Sequence, residues 1–256
     1  MSEKANLKIA AIIPARMGAT RFPGKPLADI LGLPMIEHIR RRVALNENLD
    51  QVIVATCDQE IYDVVVANGG ECIMTSSAHE RCTDRVAEAA VKVDADIIIN
   101  VQGDEPFVNP DILDDLVKPF YDEPGILSTN LLGRIVSEEE FETVNEVKTV
   151  INLAGNVIYF SREPIPSRRK APAGDFEKLK QLGLIAFTKD FLLKFTALPE
   201  TPLERLESVD MLRVIEHGYT IRGVITSERT VSVDTPQELD EAIRLMKDDV
   251  IKERYM

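Results

Sequence analysis

The sequence predicts an α/β fold with a mostly parallel sheet flanked by helices, and three observations lead there. Short runs rich in Ile and Val (KIAAIIP, QVIVAT, ECIMT and DIIINVQ) recur through the first half. Patterns of helical periodicity separate them, and the links between are short. Strand–helix–strand repetition of this kind builds a parallel sheet with right-handed crossovers.

Taken in order, KIAAIIP reads as a strand buried on both faces, because its apolar run is continuous rather than alternating. Met35, Ile36, Ile39 and Val43 then form one apolar stripe of a helix, which leaves Arg40, Arg41 and Arg42 as its solvated face. QVIVAT, ECIMT and DIIINVQ follow as further buried strands. The segments from Gln59 to Ala67 and from Asp84 to Val93 supply the crossovers between them. After Pro110 the rhythm changes. ILSTNLL, VKTVINL and NVIYFS alternate apolar and polar residues, as antiparallel strands with one wet face do. PIPSRRKAPAG reads as a long Pro-rich loop. GLIAF follows as a strand, then a helix carrying Leu203, Leu206, Val209, Leu212 and Ile215 on one face. TIRGVIT, VSV and a helix from Pro236 close the chain. His38 and His217 are expected on helix surfaces.

At 256 residues with 45% hydrophobic and 29% charged side chains, the composition is that of an ordinary globular protein. A formal net charge of −13 excludes a nucleic-acid backbone as partner, since neutralising phosphates needs a basic face. Cys57, Cys72 and Cys82 form no CxxC pair and read as free thiols of a reducing compartment. The N-terminus shows no signal peptide, and no apolar run approaches the ~20 residues that span a bilayer. A cytoplasmic protein with no membrane partner is expected.

The stretch IIPARMGATRFPGKPL stands out against that acidic background. Arg16, Arg21 and Lys25, with Gly18 and Gly24, follow directly on the first buried strand. A βα loop at the carboxyl edge of such a sheet is where ligands bind, and glycines there let main-chain N–H groups approach an anion. Three cations and this backbone freedom point to a polyphosphate. The loop matches neither G-x-x-x-x-G-K-[ST] nor G-x-G-x-x-G.

DIIINVQGDEP ends in Gln102, Gly103, Asp104, Glu105 and Pro106. A carboxylate at the tip of a central strand, held by a Gly turn, is well placed to hold Mg²⁺ against a phosphate. In VSVDTPQELDEA, Asp234 taken alone reads as the N-cap of the helix beginning at Thr235-Pro236. Paired with Asp104 opposite a cationic loop, it reads instead as a second hard-oxygen metal ligand.

Together IIPAR…TRFPGKPL, PMIEHI, IVAT, MTS…H…TDR, NVQGDEP, VK, YFSREPIP, PLERLES…LR and VDTPQEL resemble the CMP-KDO synthetases. These are the 3-deoxy-manno-octulosonate cytidylyltransferases among the sugar nucleotidyltransferases. The blocks cover nearly the whole chain in family order. The resemblance implies a Rossmann-like, mostly parallel sheet with a smaller mixed or antiparallel part for sugar binding and dimerisation. Residues 1–110 would form the nucleotide-binding half of one nucleotidyltransferase domain, and 111–256 the sugar-binding half. It implies Mg²⁺-dependent transfer of CMP from CTP to a 2-keto-3-deoxy sugar acid for lipopolysaccharide synthesis, in a homodimer.

By resemblance, Arg16 and Lys25 neutralise the triphosphate and the leaving pyrophosphate, with Asp104 as the third catalytic residue. Ala15, Gly18, Thr75, His79 and Thr83 complete the nucleotide site. Asp104 and Asp234 hold the metal. Arg162 would face the sugar carboxylate, a bidentate task suited to Arg, with Arg21, Gln102, Gln181, Glu207 and Asp210 as further substrate contacts. Against the family's H-Q-S-G-T-D/E-R, this chain has His79-Glu80-Arg81-Cys82-Thr83-Asp84-Arg85. Against R-H-x-G-x-Y it has Lys180-Gln181-Leu182-Gly183-Leu184-Ile185, and E-Q-L-R becomes Asp210-Met211-Leu212-Arg213. The first change sets bulky Arg81-Cys82 in place of Ser-Gly beside the expected base pocket, where cytosine is recognised; the last two lie on the sugar side, which implies a modified KDO such as an 8-amino derivative. A sialic-acid-like substrate and a non-catalytic nucleotide-binding homologue are the competing readings.

Overall fold

The computed structural model describes residues 7–18, 22–169, 176–228 and 230–256. The chain is mixed α/β and divides into two compact units: residues 1–114 with 230–256, and residues 115–229.

The first unit opens with β1 (Ile9–Ala15), a small hairpin of β2 (Asp29–Ile30) and β3 (Leu33–Pro34), and α1 (Met35–Val43). β4 (Gln51–Thr56), α2 (Gln59–Ala67), β5 (Glu71–Met74), α3 (Cys82–Ala90) and β6 (Ile97–Val101) follow. Its strands lie in the order β6-β1-β4-β5, every pairing parallel, as crossover helices between consecutive strands require. Every residue of β1 and β6 is buried, so the two strand tips that end at Arg16 and Gln102 rise from the centre of this sheet.

ECIMT departs from the expected burial. β5 is the edge strand: Glu71 and Met74 are exposed, and Cys72 and Ile73 only half-buried. An apolar run alone does not tell an edge from a centre. Burial still pushes the Cys72 thiol up to about 12, so it stays protonated at mildly alkaline pH. Iodoacetamide at pH 9 is expected to leave Cys72 unmodified in the folded protein, with peptide mass spectrometry as the check.

α1 also corrects the sequence reading. Arg42 is 2% exposed rather than solvated, and its guanidinium donates to the Val108 carbonyl (3.0 Å) and pairs with Asp249. His38, expected on the surface, is fully buried, bridging the Ile30 carbonyl and the Tyr255 hydroxyl at 2.8 Å each. Glu37 is fully buried too, and Arg40 and Arg41 close over it. The polar face of α1 is covered by the chain's C-terminal segment, which no local periodicity announces. Breaking a buried ion pair leaves a charge uncompensated, so Arg42→Ala is expected to cost about 3–5 kcal/mol, read as a lowered urea midpoint.

After α4 (Ile112–Asp122), the second unit contains β7 (Ser128–Arg134), α5 (Glu138–Glu142), β8 (Lys148–Ile151), β9 (Val157–Ser161) and β10 (Leu179–Thr188). α6 (Lys189–Thr196), α7 (Pro202–Glu207), α8 (Met211–Glu216) and β11 (Arg222–Thr226) complete it. β7 and β8 each run antiparallel to β10, and β8 antiparallel to β9, as the change of rhythm predicts; β11 joins β7 in parallel. The expected single helix around residue 208 is two, because Ser208 takes a left-handed conformation (φ 53) and ends α7. Leu206, placed by the pattern on a buried face, is 80% exposed. VSV forms no strand; it runs extended into α9 (Pro236–Lys247). Among the described residues no helix is long and apolar enough to cross a membrane.

Candidate active site

Hydrogen bonds fix both described ends of the loop after β1. The Met17 N–H donates to Asp58 at 2.7 Å, tying the loop's start to the segment after β4. Gly24, at φ 76, donates to the Met17 carbonyl at 2.9 Å and closes the turn; this left-handed conformation is one glycine takes without strain. Lys25 then opens a short 3-10 turn (Lys25–Leu27), its backbone held by Phe22 and Ala28. Arg16 is exposed at the strand tip, whereas Lys25 is only 9% exposed. Arg21 lies outside the described residues.

At the tip of β6 the chain turns through Gly103. A side chain there would place its Cβ 2.5 Å from the Pro14 carbonyl of β1, so only glycine lets the two tips lie this close. That approach brings Asp104 to Lys25, whose ammonium sits 3.2 Å from Asp104 Oδ2 and 2.9 Å from Asp234 Oδ1. Asp234 comes from the extended segment before α9, which the Val233 N–H ties to the Asp104 carbonyl at 2.9 Å. Thr235, not Asp234, caps α9: its hydroxyl accepts from the Glu238 N–H, and Glu238 accepts from the Thr235 N–H in return. The Asp234 carboxylate is thereby available for the cleft. Burial holds the Asp104 carboxyl above its usual range; Lys25 pulls it back down and Asp234 pushes it up.

This donor set suits a hard divalent cation. Two carboxylates from separate segments converge on one point, and a cationic ammonium already sits between them. Among the described residues no group of three or more His, Cys, Asp or Glu gathers to hold a metal alone. Magnesium commonly takes one or two protein carboxylates and completes its shell from phosphate oxygens and water.

The opposite wall is the segment leading into α3. Glu88 of α3 accepts from the Ser76 N–H (2.9 Å) and from His79, and chiefly the Ser76 hydrogen bond holds its carboxyl below the usual range. Arg85, 3% exposed, donates to the Thr75 hydroxyl at 2.5 Å and to the Ser76 carbonyl at 3.3 Å. The loop is thus clamped to its own helix from both ends.

These elements enclose a cleft of about 320 Å³. Of the residues proposed from sequence, Ala15, Arg16, Lys25, His79, Gln102, Asp104 and Asp234 all line it. Gly18, Thr75 and Thr83 do not; Thr83 is 1% exposed, and the Thr75 hydroxyl serves Arg85. Arg81 and Cys82, expected beside the base, line the cleft as well, and so do Phe22 and Arg85, to which the sequence assigned no role. Their signal was available: the basic pair Arg81 and Arg85 flanks a predicted helix start in an acidic chain.

In the second unit, Arg162 follows β9. Its Nε donates to the Glu207 carbonyl (2.7 Å) and its Nη1 to the Val144 carbonyl (3.0 Å). The Glu207 carboxylate accepts from the Arg162 N–H (2.8 Å), the Tyr159 hydroxyl and the Ser161 hydroxyl (3.1 Å each). Fully buried Lys148 donates to the Thr143, Glu146 and Arg162 carbonyls, and burial lowers its pKa. Lys148 stood in the sequence within the VK block without a role; a lysine in an alternating strand gives no sign of being buried. Gln181 donates to Asn130 Oδ1 at 2.8 Å, where the Asn130 amide donates to Leu182 and Leu184 across an irregular register of β10. Asp210 is the N-cap of α8.

The sequence profile of a family described as cytidylyltransferase matches residues 10–222. A 3-deoxy-manno-octulosonate cytidylyltransferase of Geobacter metallireducens is 44% identical over 246 residues, covering 93% of this chain and 97% of that relative. One of Solibacter usitatus is 42% identical over 245 residues, covering 96% and 97%. Among solved structures, a CMP:2-keto-3-deoxy-manno-octonic acid synthetase complexed with CTP superposes with a TM-score of 0.88 at 40% identity. It covers 94% of this chain and 98% of its own. A Leptospira borgpetersenii cytidylyltransferase shares the fold at 18% identity, with a TM-score of 0.63 over 96% of this chain and 90% of its own.

Proposed function

Because the chain belongs to the cytidylyltransferase family, alongside 3-deoxy-manno-octulosonate cytidylyltransferases, we propose that it transfers CMP from CTP to the anomeric hydroxyl of KDO or a close relative. Pyrophosphate is the second product, and the activated sugar feeds lipopolysaccharide synthesis. The observation that carries this reading is the Lys25 ammonium held between Asp104 and Asp234, in a cleft shared with Arg16, Arg81 and Arg85. Four cations crowd one cleft of a chain whose net charge is −13, and a triphosphate is the small ligand that uses them.

Arg16 and Lys25 neutralise charge that builds on the triphosphate and the departing pyrophosphate as the α-phosphorus is attacked. Asp104 and Asp234 would hold Mg²⁺, which would supply charge to orient the phosphates and lower the pKa of the attacking hydroxyl. Ala15 lies on the phosphate side of the cleft and His79 on the base side, while Thr75 supports that wall from behind by accepting from Arg85. Arg162 serves the sugar acid, as the resemblance implies, and Glu207, Gln181 and Asp210 of the same unit are assigned to the same substrate. Glu207 acts by fixing the Arg162 backbone and guanidinium.

The finer proposal concerns the sugar. The Asn130 amide nitrogen is committed to carbonyls, so its oxygen must accept and Gln181 must donate to it. This leaves the Gln181 carbonyl oxygen as the acceptor end of the side chain, suited to a donor such as an ammonium. An 8-amino KDO supplies one. Pyrophosphate release with CTP and a panel of KDO, 8-amino-KDO and a nonulosonic acid tests both levels. Turnover with the octulosonic acids, fastest with the amino sugar, is the expected result. Turnover confined to the nonulosonic acid defeats the whole reading; a preference for plain KDO defeats only the amino-sugar part. The reaction is assigned to the cytoplasm and to a homodimer, which light scattering checks.

A further inference from the structure

Lys25 occupies the place a divalent cation would need. Its ammonium contacts one oxygen of each carboxylate, at 3.2 and 2.9 Å. Magnesium bound to the same oxygens would sit about 2.1 Å from each. An ammonium and a dication cannot share one pair of oxygens: the two positive charges would lie within a few ångströms in a poorly solvated pocket, where repulsion is strong. One must leave for the other to bind.

Only one of the two can leave along an open path. The Lys25 backbone is fixed by the Gly24 turn, with its N–H on Phe22 and its carbonyl on Ala28. Its side chain lines the cleft, so the unbranched stem can swing into that space without moving the main chain. With 9% of its surface exposed, the ammonium needs an anion waiting wherever it goes. The phosphates of a nucleotide in the same cleft provide one.

Resting on the nucleotidyltransferase reading, we propose that Lys25 is a stand-in cation that couples metal to nucleotide. It neutralises the Asp104–Asp234 pair in the free protein, and it moves to the phosphates when the nucleotide arrives, opening the carboxylates to the metal. The free protein therefore binds divalent metal weakly, and metal and nucleotide each strengthen the other's binding by the same factor. The device also keeps the paired carboxylates from capturing a cation before the nucleotide is in place.

Electron paramagnetic resonance of free Mn²⁺, titrated into the intact protein without nucleotide, tests this on wild type, Lys25→Met and Lys25→Arg. Removing the ammonium takes one positive charge away from the two carboxylates, so Lys25→Met is expected to bind Mn²⁺ at least about tenfold more tightly than wild type. Lys25→Arg keeps the charge and should stay near wild type. With a CTP analogue whose α,β-bridge cannot be cleaved, wild-type affinity for Mn²⁺ should rise by a similar factor. Equal or weaker Mn²⁺ binding by folded Lys25→Met overturns the proposal, as does a wild-type affinity indifferent to the analogue. If Lys25→Met loses its far-UV circular dichroism, the wild-type comparison decides alone. Loss of the coupling with sugar turnover intact removes this device only; absence of turnover with every octulosonic acid removes the reading beneath it.

Discussion

Asp104→Asn is expected to lower kcat/KM by about a thousandfold or more while leaving the fold in place. The amide is isosteric, so the β6 tip keeps its shape, and the main-chain tie from Val233 to the Asp104 carbonyl is untouched. What disappears is one of two negative charges that converge on the metal position. Losing one preorganised electrostatic group at a site of developing charge costs roughly 10²–10³ in kcat, and a displaced metal adds to that. Lys25 also loses an ion pair, although Asp234 retains the shorter contact at 2.9 Å. Steady-state pyrophosphate release, with circular dichroism and urea unfolding as controls on the fold, is the measurement. Unchanged turnover in a folded variant would remove Asp104 from the mechanism.

Gly103→Ala is expected to cost about a hundredfold in kcat/KM through geometry alone. The added methyl would lie 2.5 Å from the Pro14 carbonyl, which belongs to a buried central strand and cannot withdraw. The turn must yield instead, carrying Asp104 with it. A displacement near 1 Å in a catalytic group is worth about 10² in rate. Because β6 keeps its pairing with β1, stability should fall far less than activity. Wild-type turnover in this variant would mean that the turn tolerates the shift and that the position of Asp104 is not critical.

How much of this was legible in the sequence depended on whether the signal was local. Continuous Ile and Val runs marked β1, β4 and β6, because burial on both faces leaves no polar position. Gln59–Ala67 was read with the boundaries that α2 has. Arg16, Lys25, Asp104 and Asp234 were visible as residues poorly suited to packing, and the fold gathers these four around one cleft. Readings failed where a partner distant in sequence decides the outcome. Arg42 and His38 are covered by Asp249 and Tyr255, more than two hundred residues on, and nothing within α1 foretells it. Ser208 breaks a helix that its apolar spacing would continue. Lys148 is buried because three carbonyls converge on it, two from the turn between α5 and β8 and one from the residue after β9. Glu207, expected as a substrate contact, also organises the Arg162 turn through partners on β9 that its own surroundings in the sequence do not reveal.

The proposed chemistry requires a triphosphate, a divalent cation and Lys25 to rearrange together in one cleft. A crystal soaked with Mn²⁺ and the uncleavable CTP analogue, with anomalous data collected at the manganese edge, looks at all three at once. The predicted map has a metal peak about 2.1–2.2 Å from both Asp104 and Asp234, phosphates against Arg16, and the Lys25 ammonium turned onto them. Phosphates bound elsewhere, or a cleft that takes the nucleotide while Lys25 stays between two metal-free carboxylates, would contradict it.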